Sequence, residues 1–113
     1  MRTMPPIHPG EQLREEFMRP RGITPERLAE DIGAASWEVA EVVEERCAVS
    51  SELALRLARY FGTTARFWLD MQRDHDLAKT VAALGDRLDL EVKNIVGFPH
   101  YDGADRRVRP RLG

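Results

Sequence analysis

Between Pro25 and Arg46, four side chains able to meet a ligand, Ser36, Trp37, Ala40 and Glu41, are interleaved with Val39, Val42 and Val43 at helical spacing. A hydroxyl, an indole, a methyl group and a carboxylate do not make a nucleophile, a base and an oxyanion binder, and no phosphate-cradling glycine loop accompanies them. They can meet base edges in a duplex groove. Thr24, Arg46 and Ser50, at the ends of neighbouring helical runs, can help by gripping phosphates. Trp37 leaves three alternatives open at this point: contact with a thymine methyl, packing back on the core, or part of a protein interface.

The elements that must position these residues are two short helices and a tight turn. Leu28, Ala29 and Ile32 put apolar side chains on one face of the first, Gly33 stops it, and Val39, Val42 and Val43 resume the pattern. A steep crossing needs a small residue at the close approach (Ala29), a turn residue free to take positive φ (Gly33) and apolar locks (Val39 and Val42). The spacing predicts a helix-turn-helix. The plainer alternative is two packed helices of an ordinary bundle.

With 113 residues, 42% of them apolar and 32% charged, the chain has the balance of one globular domain with a small core. No run approaches a membrane span of roughly 20 residues, and no apolar signal-peptide core opens the chain, so a cytoplasmic protein with no membrane contact is expected. The lone Cys47 cannot form an internal disulfide, and with His8, His75 and His100 it has no metal-ligand spacing. Asp70, Asp74, His75 and Asp76 read as a solvated helix face. No metal or cofactor is assigned. A net charge of −2 removes the simplest argument for nucleic-acid binding, which leaves charge placement to decide.

Five helices are predicted, with no sheet. After an extended arm over Met1–Ile7, the first begins near His8-Pro9-Gly10-Glu11, shares Leu13 and Phe17 on a face, and ends at Pro20 and Gly22. Thr24 caps the second, with Pro25 at its first position. The third runs from about Ser36 to Glu45. Ser50 or Ser51 caps the fourth, which carries Leu53, Ala54, Leu57, Ala58 and Phe61 and stops at Gly62. Thr64 caps a long fifth helix bearing Phe67, Trp68, Met71, Leu77, Val81 and Leu84 up to Gly85. Phe67 and Trp68, with Phe61, are expected to close the core over the fourth helix. Leu88, Leu90, Val92 and Ile95 could alternate on a strand, but with no strand to pair with, a further helix after a break is expected. Residues 1–96 are assigned to the domain with its dimerisation helix. Residues 97–113, with Arg106, Arg107, Arg109 and Arg111, are assigned to a mobile tail.

His8-Pro9-Gly10-Glu11, Arg14-Glu15-Glu16-Phe17, the run Ala54 to Thr64 and the run Phe67 to Gln72 resemble the HigA family of antitoxins, which are XRE-type helix-turn-helix proteins. The match covers about His8 to Leu77. The resemblance implies an all-α, five-helix, lambda-repressor-like helix-turn-helix domain with a C-terminal extension. It also implies a homodimer that represses its own toxin-antitoxin operon by binding operator DNA, performs no catalysis, and neutralises a HigB-type, RelE-like toxin that cleaves messenger RNA.

One departure stands out. Family members typically place Arg, Lys, Asn, Ser or Thr at the positions of Ser36, Trp37, Glu38, Ala40 and Glu44, and this sequence keeps few of them. Glu38, Glu41, Glu44 and Glu45 make the third helix acidic, with Arg46 alone positive at its end. At ~8 Å in water each glutamate facing a phosphate costs roughly 0.5 kcal/mol, more where water is excluded. The expectation is weakened operator binding, and the alternative function is a degenerate helix-turn-helix interaction protein that binds toxin or itself with weak or no operator binding. Against that weakening, the family tolerates an acid at Glu41, a glutamate can accept from the cytosine amino group, and the arginine-rich tail could supply phosphate contacts.

Overall fold

The computed structural model describes residues 6–95. Its helices are α1 (Pro9–Gln12), α2 (Pro25–Ile32), α3 (Ser36–Val43), α4 (Ser51–Phe61), α5 (Ala65–Leu84) and α6 (Arg87–Glu91), with no strand among the described residues. The chain stays helical after α1, as wider π turns over Leu13–Met18 and a tight 3-10 turn over Arg19–Arg21. The chain divides after Ala83 into two compact units; the first holds the helices up to the last residues of α5, and the second holds α6.

Local chemistry explains the starts. The His8 ring accepts from the Gly10 N–H through Nδ1 at 2.9 Å, Thr24 accepts from Arg27 and Ser50 from Leu53, each at 3.1 Å, and Thr64 accepts from Phe67 at 3.0 Å. Ser50, not Ser51, is therefore the cap of α4. Gly33 and Gly62 end α2 and α4 at φ 73 and 76. Gly10 serves a different end. A Cβ there would lie 1.8 Å from the Val42 carbonyl oxygen, so only glycine lets the first helix meet the backbone of α3.

The core of the first unit collects Leu13, Leu28, Val39, Val42, Leu53, Leu57 and Trp68, all buried. Trp68 packs at a tilt against the rings of Phe17 and Phe61 and donates its indole N–H to Thr63 Oγ1 at 2.8 Å, tying α5 to the helical segment that follows α1 and to the turn after α4. Phe67 differs from the expected core role: its ring contacts Phe17 and Trp68 but is 37% exposed.

The third helix ends at Val43, two residues short of the predicted Glu45. Glu45 adopts φ 64; its N–H reaches the Val42 carbonyl at 2.9 Å, and the Arg46 N–H reaches the Glu41 carbonyl at 2.8 Å. That is a Schellman closure with glutamate where glycine is usual, so the sequence carried no stop signal. The helix expected after a break is α6. The arginines of the tail, Arg106, Arg107, Arg109 and Arg111, lie outside the described residues, as do Met1 to Pro5 of the arm and His100. Among the described residues no helix is long and apolar enough to cross a membrane, and no cluster of three or more His, Cys, Asp or Glu could hold a metal. Arg73 sits between Asp70 and Asp74, at 3.2 and 3.7 Å.

Candidate nucleic-acid interface

The helix-turn-helix comprises α2, the turn Gly33–Ala35 and α3. Ala29 and Val39 are buried at the crossing, with Val42 beside them, as the spacing predicts. Two arginines from outside the motif hold its helices by their C-termini. Arg56 of α4 donates through Nη1 to the Ile32 carbonyl at 2.8 Å while pairing with Glu52. Arg14 of the first helix donates to the Val43 carbonyl at 2.5 Å and pairs with Glu45 at 3.1 Å and Glu15 at 2.9 Å. Carbonyls left over at a helix end are negative, and a guanidinium satisfies both their charge and their geometry. Neither arginine is given this role by the sequence pattern.

On α3 the buried residues Val39, Val42 and Val43 define the inward side. Trp37, Ala40, Glu41 and Glu44, spaced at three, four and seven residues from Trp37, share the opposite side. Trp37 is 69% exposed, which removes packing on the core from its alternatives. Ser36, in the first turn, is also exposed, while Ala40 and Glu41 are half-buried.

The charges of α3 are not those a count suggests. The Arg46 guanidinium bonds Glu41 through Nε and Nη2, the latter at 3.1 Å, and meets Glu44 through Nη1 at 2.5 Å. The hydrogen bond from Arg46 lowers the proton affinity of Glu41 from its ordinary value and keeps it ionised. Glu45 is paired with Arg14. Of the four glutamates, Glu38 alone has no ion pair among the described residues. Arg46 is shared by Glu41 and Glu44, and Arg14 by Glu45 and Glu15, so each trio keeps a net charge of −1; with Glu38 the face stays negative, though less so than four bare glutamates.

Thr24 and Ser50 are exposed at the N-termini of α2 and α4, where each hydroxyl accepts a backbone N–H and retains its own proton for a ligand. The loop carrying Ser50 is fixed from below by Gln72 of α5. Its Oε1 accepts from the Val49 N–H at 2.9 Å and its Nε2 donates to Asp76 at 3.0 Å, with the glutamine itself buried. Sequence reading missed Gln72, although it lies four residues after Trp68 on the same helical face.

The sequence and the fold are similar to those of known proteins. Over 75 residues the chain is 36% identical to antitoxin HigA-1 of Vibrio cholerae, covering 66% of this chain and 70% of the relative. The chain belongs to the HigA family of antitoxins. Identity with virulence-associated protein I of Dichelobacter nodosus is 45% over 74 residues, 66% of this chain and 68% of that one. The structure of Pseudomonas aeruginosa antitoxin HigA with the higBA promoter superposes with a TM-score of 0.76 at 38% identity, covering 80% of this chain and 99% of that one. No protein-family model matches the sequence. The fold is all-helical among the described residues, like that of the HigA antitoxin structure it superposes on.

Proposed function

We propose that the chain is an antitoxin that binds the operator of its own toxin-antitoxin operon through α3 and represses it, and that it neutralises a HigB-type, RelE-like ribonuclease by direct binding. The observation that carries this reading is the likeness to the promoter-bound Pseudomonas antitoxin, which extends over nearly all of that chain. In this reading Ser36, Trp37, Ala40 and Glu41 face base edges, and Thr24, Arg46 and Ser50 approach phosphates. The role is binding without catalysis, in the cytoplasm. The interaction protein without operator binding is less favoured, because the likeness extends to an antitoxin seen with its promoter and because Arg46 and Arg14 partly offset the charge of Glu41, Glu44 and Glu45.

The functional unit is a homodimer. Leu77 and Val81, one turn apart on α5, are 61% and 55% exposed on a helix that has left the small core behind, and a second copy would bury them.

Co-expression with the toxin reading frame next to its gene, together with a gel shift on the DNA upstream of the operon, tests the proposal. Restored growth, co-purification and a retarded band are expected. Undiminished lethality without co-purification would sink the antitoxin role, and an unshifted operator the repressor role.

A further inference from the structure

The outward side of α3 carries no lysine, arginine, asparagine or glutamine in its own span, Ser36–Val43. The two commonest routes to a base, a bidentate cation on guanine and a bidentate amide on adenine, are therefore closed to this helix. What it offers is an exposed indole, a methyl group and an ionised carboxylate. The base edges that match are the thymine C5-methyl, which is apolar, and the cytosine amino group, which donates.

Resting on the repressor reading above, we infer that α3 selects operator half-sites by thymine and cytosine on one strand, Trp37 meeting the thymine methyl and Glu41 accepting from the cytosine amino group, with Arg46 as the residue that positions Glu41. Three features carry this. Trp37 is 69% exposed and packs on nothing in the core, so its ring is available. Glu41 Oε1 accepts from Arg46 Nε and from Cys47 Sγ, at 3.8 Å, and Oε2 accepts from Arg46 Nη2, which leaves a lone pair of Oε2 for a further donor. The same arginine, through its contact to Glu44 as well, offsets one of the two negative charges that would oppose entry to the groove. Trp37 and Glu41 are one helical turn apart, about 6 Å along the axis. With bases spaced about 3.4 Å along a strand, the two positions read should lie about two steps apart.

Selection of bound duplexes from a random DNA library by the full chain, followed by titration of the winning duplex, tests the inference. Enriched half-sites should carry thymine and cytosine about two steps apart. Replacing that thymine by deoxyuridine, which removes only the methyl, should weaken the parent about fourfold, the worth of one buried methyl group, and should leave W37A unaffected. E41Q should move the preference at the cytosine toward adenine, since glutamine can pair with the adenine edge in two places. Both side chains lie outside the core, and circular dichroism of the variants checks that folding is intact. If specific half-sites emerge without thymine and cytosine about two steps apart on one strand, or are indifferent to the methyl and to E41Q, this assignment fails while the repressor reading stands. If W37A loses toxin co-purification and keeps full DNA discrimination, Trp37 belongs to a protein interface and the assignment also fails. If no duplex is enriched at all, the repressor reading falls with it.

Discussion

Glu45 and His8 show how single side chains set the terms here. Glu45 closes α3 at φ 64, a region where a side chain costs about 1–2 kcal/mol relative to its ordinary conformations. Glycine would relieve that strain but adds chain entropy on unfolding and gives up an exposed pair with Arg14. Glu45→Gly should therefore raise stability by a net of about 0.5 kcal/mol, read as a higher urea midpoint at unchanged slope. His8 is buried with its ring edge-on to His75 at 5.0 Å. Burial first, and the neighbouring His75 second, lower its proton affinity below the ordinary 6.5, against the opposing pull of Glu45, Asp76 and the backbone of Cys47. The unfolded chain then takes up the proton before the folded one, so the stability contributed by neutral His8 is complete above pH 6.5 and is lost as pH falls below it. Each tenfold change in proton affinity is worth about 1.4 kcal/mol. His8→Asn keeps an oxygen to cap Gly10 and does not titrate, so the fall in stability between pH 7.5 and 5 should be smaller than in the parent, as urea titrations at several pH values would show.

At the scale of elements, the helix-turn-helix is built from outside as much as from within. Its helices are short, and short helices are marginal without tertiary contacts. Arg14, Arg56 and Gln72 each reach a backbone group at the end of an element distant in sequence, and Gly10 permits the approach that lets Arg14 arrive. Gly10→Ala would drive a methyl into the Val42 carbonyl, which also closes α3 by accepting from Glu45. No side-chain rotation relieves a clash between two backbones. We expect a loss of about 3 kcal/mol, seen as a lower thermal midpoint, together with loss of operator binding.

For the whole molecule, the open question of energetics is where the apolar surface of α5 goes. Leu77 and Val81 are one turn apart and exposed, while the core gathers around Trp68 and the helix-turn-helix. Covering them with a second copy would place two reading helices against one operator with matching two-fold symmetry. Sedimentation equilibrium at tens of micromolar, a range chosen to catch weak association, should give a dimer for the parent and a monomer for the pair Leu77→Lys and Val81→Lys, with helicity retained. A monomeric parent would remove this surface from the account.

Local rules decided much of this protein before any tertiary contact. Thr24, Ser50, Gly33 and Gly62 act within one turn of themselves, and the valines of α3 with the leucines of α4 mark an inward face by periodicity alone, so helix order, the motif and its outward residues were legible in the sequence. Interactions across twenty or more residues were not. Nothing in the rhythm of the chain says that Arg56 faces the end of α2, that Arg14 faces the end of α3, or that Gln72 holds the Val49 amide. The acidic count on α3 is legible, but its effective charge is not, because Arg46 meets Glu41 and Glu44 only after the backbone has turned at Glu45. Periodicity records which side of a helix is buried; which partner lies across from it is set by how the helices cross.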